Sequence, residues 1–143
     1  MIEYQKILDK NMINVLKDIL QNIRDNGLSN DNHLYITFLT NNNIVELPNW
    51  LKQKYPQEMT IIIQYEYYDL EINKNDFSIT LSFGDIKTNL KINYNAIVSF
   101  ADPSANFGLI LQKSEIKKIV DKKLDNNKSK KDNVINFSNY KKN

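Results

Sequence analysis

The densest group of side chains able to recognise another molecule is Gln64, Tyr65, Glu66, Tyr67 and Tyr68, with Phe100 and Phe107 flanking the 101–106 run ADPSAN. A side-chain amide both donates and accepts, so Gln64 suits the backbone of an extended peptide, and neighbouring aromatics offer pockets for its side chains. The same aromatics also suit the capped end of a barrel. Glu66, Asp69 and Glu71 fall at strand spacing, where a carboxylate pair serves acid–base chemistry or holds a hard cation; a solvated strand face is the more ordinary explanation. His33 is the sole histidine and cysteine is absent, so a transition metal lacks nitrogen or sulfur partners, and a lone histidine opening an apolar strand is most often structural. Nucleotide loops, paired histidines and nucleophile elbows are missing. Nothing specifies an enzyme, and no cofactor or metal is expected.

Residues 4–26 carry Leu8, Met12, Val15, Leu16, Ile19, Leu20 and Ile23 at spacings of three and four, the pattern of a helix with one apolar stripe that serves core or subunit interface. Asn26 and Gly27 end it. The 33–39 run HLYITFL reads as a central strand covered on both sides. Asparagines 41–43 turn the chain into a short IVEL segment, Pro48 opens a helical stretch through Tyr55, and 59–68 reads as one strand. Residues 77–92, FSITLSF-GD-IKTNLKI, alternate apolar and polar positions around a two-residue turn, the pattern of a half-buried hairpin. A turn at Asp102, Pro103 and Ser104 precedes a last strand over 107–112. One helix followed by five or six mostly antiparallel strands predicts an α+β, mainly β fold: an open barrel or sandwich with the helix on one side.

The chain has 143 residues and a net charge of +2, which fits one modest domain. The charge is uneven: residues 1–112 hold 9 basic and 13 acidic side chains, a balance of −4, whereas 113–143 hold 10 and 4, a balance of +6. An acidic body argues against a nucleic-acid surface, which would place its positive charge on the fold. The absence of cysteine, of an apolar run near 20 residues and of a signal-peptide pattern in MIEYQKILDK leads to the expectation of a cytoplasmic protein with no membrane contact. Beyond Gln112 the chain is too poor in apolar residues to offset the cost of ordering it, so disorder is expected. At its end Val134, Ile135, Phe137 and Tyr140 gather in VINFSNYKKN. An apolar cluster at the tip of a charged spacer has the form of a docking peptide.

Five blocks together resemble the alpha-type SspB proteins, adaptors that bring ssrA-tagged substrates to the ClpXP protease: HLYITF, KYPQEMTIIIQYEYYDL, FSITLSFGDIKTNLKINYNAI, FADPSANFGLIL and the terminal VINFSNYKK. The resemblance implies a partly open, Sm-like barrel that forms a homodimer through the N-terminal helix. It divides the chain into a tag-binding and dimerisation domain (1–112), a flexible charged linker (113–133) and a ClpX-docking peptide (134–143). It also implies a non-enzymatic function, with the domain gripping the ssrA tag while the tail binds the N-terminal domain of ClpX.

By the same resemblance Gln64 matches a tag-contacting glutamine, and Tyr65 and Tyr67 follow it as groove candidates. Phe83 and Gly84 match a Phe-Gly turn, and Ala101 and Phe107 lie in the matching loop and strand. In the tail, Val134, Ile135, Phe137, Tyr140, Lys141 and Lys142 match a pattern of two aliphatics, a spaced apolar residue, an aromatic and a basic end. The rival expectation is an Sm-like RNA-binding module drawing on the basic tail.

Overall fold

The computed structural model describes residues 1–29 and 31–111. It opens with helix α1, Tyr4–Asn26. Glutamine-to-aspartate bonds one turn apart (Gln5 to Asp9, Gln21 to Asp25) support its solvent side. It stops where Gly27 takes φ 76° and returns its N–H to the Ile23 carbonyl at 2.8 Å, a conformation that a side chain would resist.

Eight strands follow: β1 Leu34–Leu39, β2 Val45–Glu46, β3 Glu58–Ile63, β4 Tyr67–Ile72, β5 Asp76–Phe83, β6 Ile86–Asn93, β7 Ile97–Asp102 and β8 Phe107–Ile110. A short helix α2, Asn49–Lys54, lies between β2 and β3. The strands form two antiparallel sheets ordered β3-β1-β7-β8 and β2-β6-β5-β4. Alternation decides which face turns inward. Met59, Ile61 and Ile63 of β3 are buried while Glu58, Thr60 and Ile62 are exposed, and Thr88, Leu90 and Ile92 of β6 are buried between exposed neighbours. The two inner faces, with Met12, Leu16, Leu20 and Ile23 of α1, make one core built around Phe38, Phe77 and Phe100.

Helix α1 packs against β4. Lys17 fastens it there, donating to the Lys74 carbonyl at 3.1 Å and lying 4.8 Å over the Tyr94 ring, whose hydroxyl donates to the Asn73 carbonyl at 3.3 Å. Burial, aided by the charge of Asp76, pushes the Tyr94 phenol up to about 12. Among the described residues no helix is long and apolar enough to cross a membrane.

The hairpin forms as its alternation predicts. Phe83 pairs with Ile86 across Gly84 and Asp85, and positive φ at Gly84 alone of the two is the pattern of a type II′ turn. Three expectations change. The 59–68 run is not one strand, because the chain bends at Gln64 and Tyr65 to leave the first sheet and enter the second; this break, with the two-residue β2, makes eight strands rather than five or six. Strand β1 is covered fully on one face only, with Tyr35 and Thr37 half-buried on the other; at its end Phe38 and Leu39 are both buried, and the register with β7 slips between Thr37 and Phe38. The helix stripe splits: its C-terminal half enters the core, but Leu8 and Val15 stay exposed. The fold is therefore a two-sheet sandwich with no closed barrel. The expected disordered tail, including the linker and the docking peptide, lies outside the described residues.

Candidate functional site

The bend that joins the two sheets positions most of the candidate residues. Leu34 pairs with Ile63, so Gln64 emerges beside His33 at the end of the first sheet. Tyr67 then pairs with Leu81, two residues from Phe83 at the hairpin tip. Tyr67, Leu81, Phe83 and Ile86 share the inward parity of their sheet. Leu81 is buried, Tyr67 and Phe83 are half-buried, and Ile86 is 58% exposed, so the sandwich interior opens here as a mouth lined by aromatic and aliphatic side chains. Tyr65 stands at its edge, 73% exposed.

The opposite side of the mouth is closed by a residue that sequence reasoning missed. Strand β2 runs antiparallel to β6, with Val45 opposite Ile92, and the chain continues toward the hairpin tip as far as Trp50. There the indole meets the Phe83 ring edge-on, with centroids 6.0 Å apart and planes at 83°. The only available signal was a single tryptophan beside Leu51, which the core takes completely.

Ala101 and Phe107 lie elsewhere. Strand β7 is two strands from β3, roughly 10 Å across the sheet. Ala101 is buried between its partners Tyr35 and Gly108, and Phe107 leans on Phe100 with centroids 6.1 Å apart. Asp102 holds this corner together, a role the Asp-Pro-Ser sequence hints at as an Asx turn. Its carboxylate accepts from the Ser104 hydroxyl and from the Ser104 N–H at 3.1 Å, from the Asn32 amide at 2.8 Å, and from the His33 backbone. Burial works to raise this carboxyl, but the hydrogen bonds from Ser104, Asn32 and the His33 backbone outweigh it and hold the group below its ordinary value. A pocket of about 570 Å³ separates the corner from α1, lined by Val15, Ile19, Ile23 and Phe107 among others.

Of the seven groove candidates, Tyr67, Phe83 and Gly84 thus share the mouth, Gln64 and Tyr65 lie on the bend that leads to it, and Ala101 and Phe107 sit at the β7–β8 corner. His33 stands between the groups, its ring edge-on to Tyr35 at 5.4 Å. Its buried Nδ1 has no hydrogen-bond partner among the described residues. Glu66, Asp69 and Glu71 are all exposed, with Asp69 at φ 54° in a bulge of β4. Among the described residues no three metal-ligating side chains gather. What the mouth offers is recognition: apolar walls and, at their edge, an amide with no partner among the described residues. Val134, Ile135, Phe137, Tyr140, Lys141 and Lys142 lie outside the described residues.

No curated protein matches the chain. A family model described as Stringent starvation protein B matches residues 7–142, nearly the whole length, and with that match the chain belongs to the SspB family of adaptor-type proteins.

Proposed function

We propose that this protein is a proteolytic adaptor that grips the ssrA tag of stalled-translation products and hands them to the ClpXP protease. The observation that carries this reading is the extent of the family match, which takes in both the body and the terminal VINFSNYKK segment. The mouth between the sheets is the groove. Tyr67 and Phe83 offer apolar contact to an extended peptide, Gln64 pairs with its backbone, and Gly84 gives the hairpin tip its shape. Ala101 and Phe107 serve the groove only through the stability of the neighbouring corner.

Delivery works by tethering. Residues 134–143 bind the N-terminal domain of ClpX, and residues 113–133 join them to the body. A linker of that length reaches about 25 Å, for an effective concentration on the order of millimolar. A homodimer formed through α1, whose Ile7, Leu8 and Val15 are exposed, doubles the tails and adds avidity. The cytoplasm is the compartment in which such substrates arise.

Fluorescence anisotropy with a labelled ssrA-tag peptide from the same organism tests this. Binding at micromolar concentration or tighter that persists in a 1–112 truncation and weakens in Gln64→Ala is the expected result. No binding by the folded full chain overturns the reading, and salt-dependent RNA binding by the 1–112 body would replace it with the Sm-like alternative.

A further inference from the structure

Resting on the reading of residues 134–143 as a docking peptide, we infer that the pocket between α1 and the β7–β8 corner is the seat of that peptide when ClpX is not bound, with the cluster of Val134, Ile135, Phe137 and Tyr140 held against its own body.

The pocket, of about 570 Å³, has the size of a ligand site. Val15, Ile19 and Ile23 of α1 and Phe107 at the start of β8 give it apolar walls. Val15 is exposed and Ile19 and Phe107 are only half-buried, so apolar area is left open to an occupant. The charged residues that line it, Asp18 and Asp102, are both acidic. Asp102 accepts from uncharged donors, those of Ser104, Asn32 and the His33 backbone, and Asp18 has no ion-pair partner among the described residues. Both negative charges therefore stand without a cation.

Charge and reach select the occupant. Residues 113–143 carry a balance of +6 against −4 for the body, and Lys141 and Lys142 follow the apolar cluster directly. An apolar peptide with a basic end matches an apolar pocket with acidic lining. The mouth is a poorer match, because Lys52 and Lys54 follow Trp50 there and Lys87 follows Ile86. The described chain ends at Leu111, whose N–H is bound to the Val98 carbonyl, about 13 Å along the strand direction from Phe107. The 22 residues from 112 to 133 reach about 25 Å, enough to bring Val134 to the pocket. Attachment to the same chain gives an effective concentration on the order of millimolar, so a contact of only millimolar strength is about half occupied. A seat that weak shields the cluster and still yields it to ClpX.

The chain has no cysteine, so a nitroxide on Asn143→Cys in the full chain marks the tail alone. The expected result is paramagnetic broadening of the amide signals of residues 15–28 and 105–108 that exceeds the broadening of 83–86. It is lost in Asp18→Lys, an exposed position, and in the double variant Ile135→Ser with Phe137→Ser. Without the nitroxide, Asp18→Lys binds the N-terminal domain of ClpX about twofold more tightly than the parent chain, as for release of a half-occupied seat. Uniform broadening, or broadening centred on the hairpin tip, overturns the seat; binding of the ClpX domain by that same chain leaves tethering intact. Broadening at the pocket with no binding of the ClpX domain overturns tethering and upholds the seat. Equal broadening when a second copy carries the nitroxide assigns the pocket to a partner's tail and overturns docking within one chain.

Discussion

The mouth and the β7–β8 corner are built on opposite principles. At the corner, Asp102 collects donors from Ser104, Asn32 and the His33 backbone, Ala101 is buried, and Phe107 rests on Phe100. Its carboxylate is occupied by neighbours and its one large ring is supported. At the mouth, Tyr65, Ile86 and Trp50 are exposed and the Gln64 amide has no partner among the described residues. A corner satisfied internally contributes rigidity; a mouth that leaves apolar area and an amide unmatched contributes affinity for something else. Stability and binding should therefore separate between the two regions.

The largest effect expected is from Phe107→Ala. Removing a half-buried ring lowers the unfolding free energy by about 2 to 3 kcal/mol, read by urea denaturation. Tag-peptide affinity should stay within about twofold, since sites this far apart act nearly independently. A large fall in affinity would break the comparison and join the corner to the groove.

Asp102→Ala comes next, costing about 1 to 2 kcal/mol at neutral pH by leaving donors unmatched. The pH dependence sharpens the test. Because the folded carboxyl lies below its ordinary value of 3.8, its stabilising contribution is complete above that value. It is lost as pH falls through the lower folded pKa. Denaturation curves of parent and variant should therefore converge in acid; a gap that persists there would mean that packing, not charge, holds the corner.

Gln64→Ala should do the reverse of the corner variants, weakening the peptide about tenfold, or about 1.4 kcal/mol, with an unchanged denaturation midpoint. A shifted midpoint would show that the amide serves the fold. Gly84→Ala is expected to be the smallest. An added methyl meets nothing within 4 Å, so the cost is confined to holding a side chain at φ 64°, about 1 kcal/mol in thermal or urea melts.

Much of this was legible because it is local. The spacing of Met12, Leu16, Leu20 and Ile23 marks α1, Gly27 its end, and the alternation from Phe77 to Ile92 the hairpin, down to its two-residue turn. Periodicity reports which residues share a face. It does not report how far that face is covered, so the exposure of Leu8 and Val15 went unseen. Nor does it register a change of sheet: Gln64 and Tyr65 continue an apolar, strand-like run, and the bend there comes from the need to cross between layers.

The candidate site divides in the same way. Gln64, Tyr65 and Tyr67 were found by chemistry and resemblance because they are contiguous in the chain. Trp50 was missed because its partner Phe83 is 33 positions away, and Asp102 because two of its donors, Asn32 and His33, come from the other end of the domain. The sequence by itself determined α1 and its end, the β5–β6 hairpin with its turn, and the adaptor family, since each follows from short-range spacing or from ordered blocks of residues. Only the tertiary structure decided that β3 ends where the sheets part, that one hairpin tip becomes a mouth while the β7–β8 corner closes on itself, and that a tryptophan meets the Phe83 ring. Those outcomes depend on which distant faces compete for the same buried volume, and that competition is settled only when both sheets and the helix pack together.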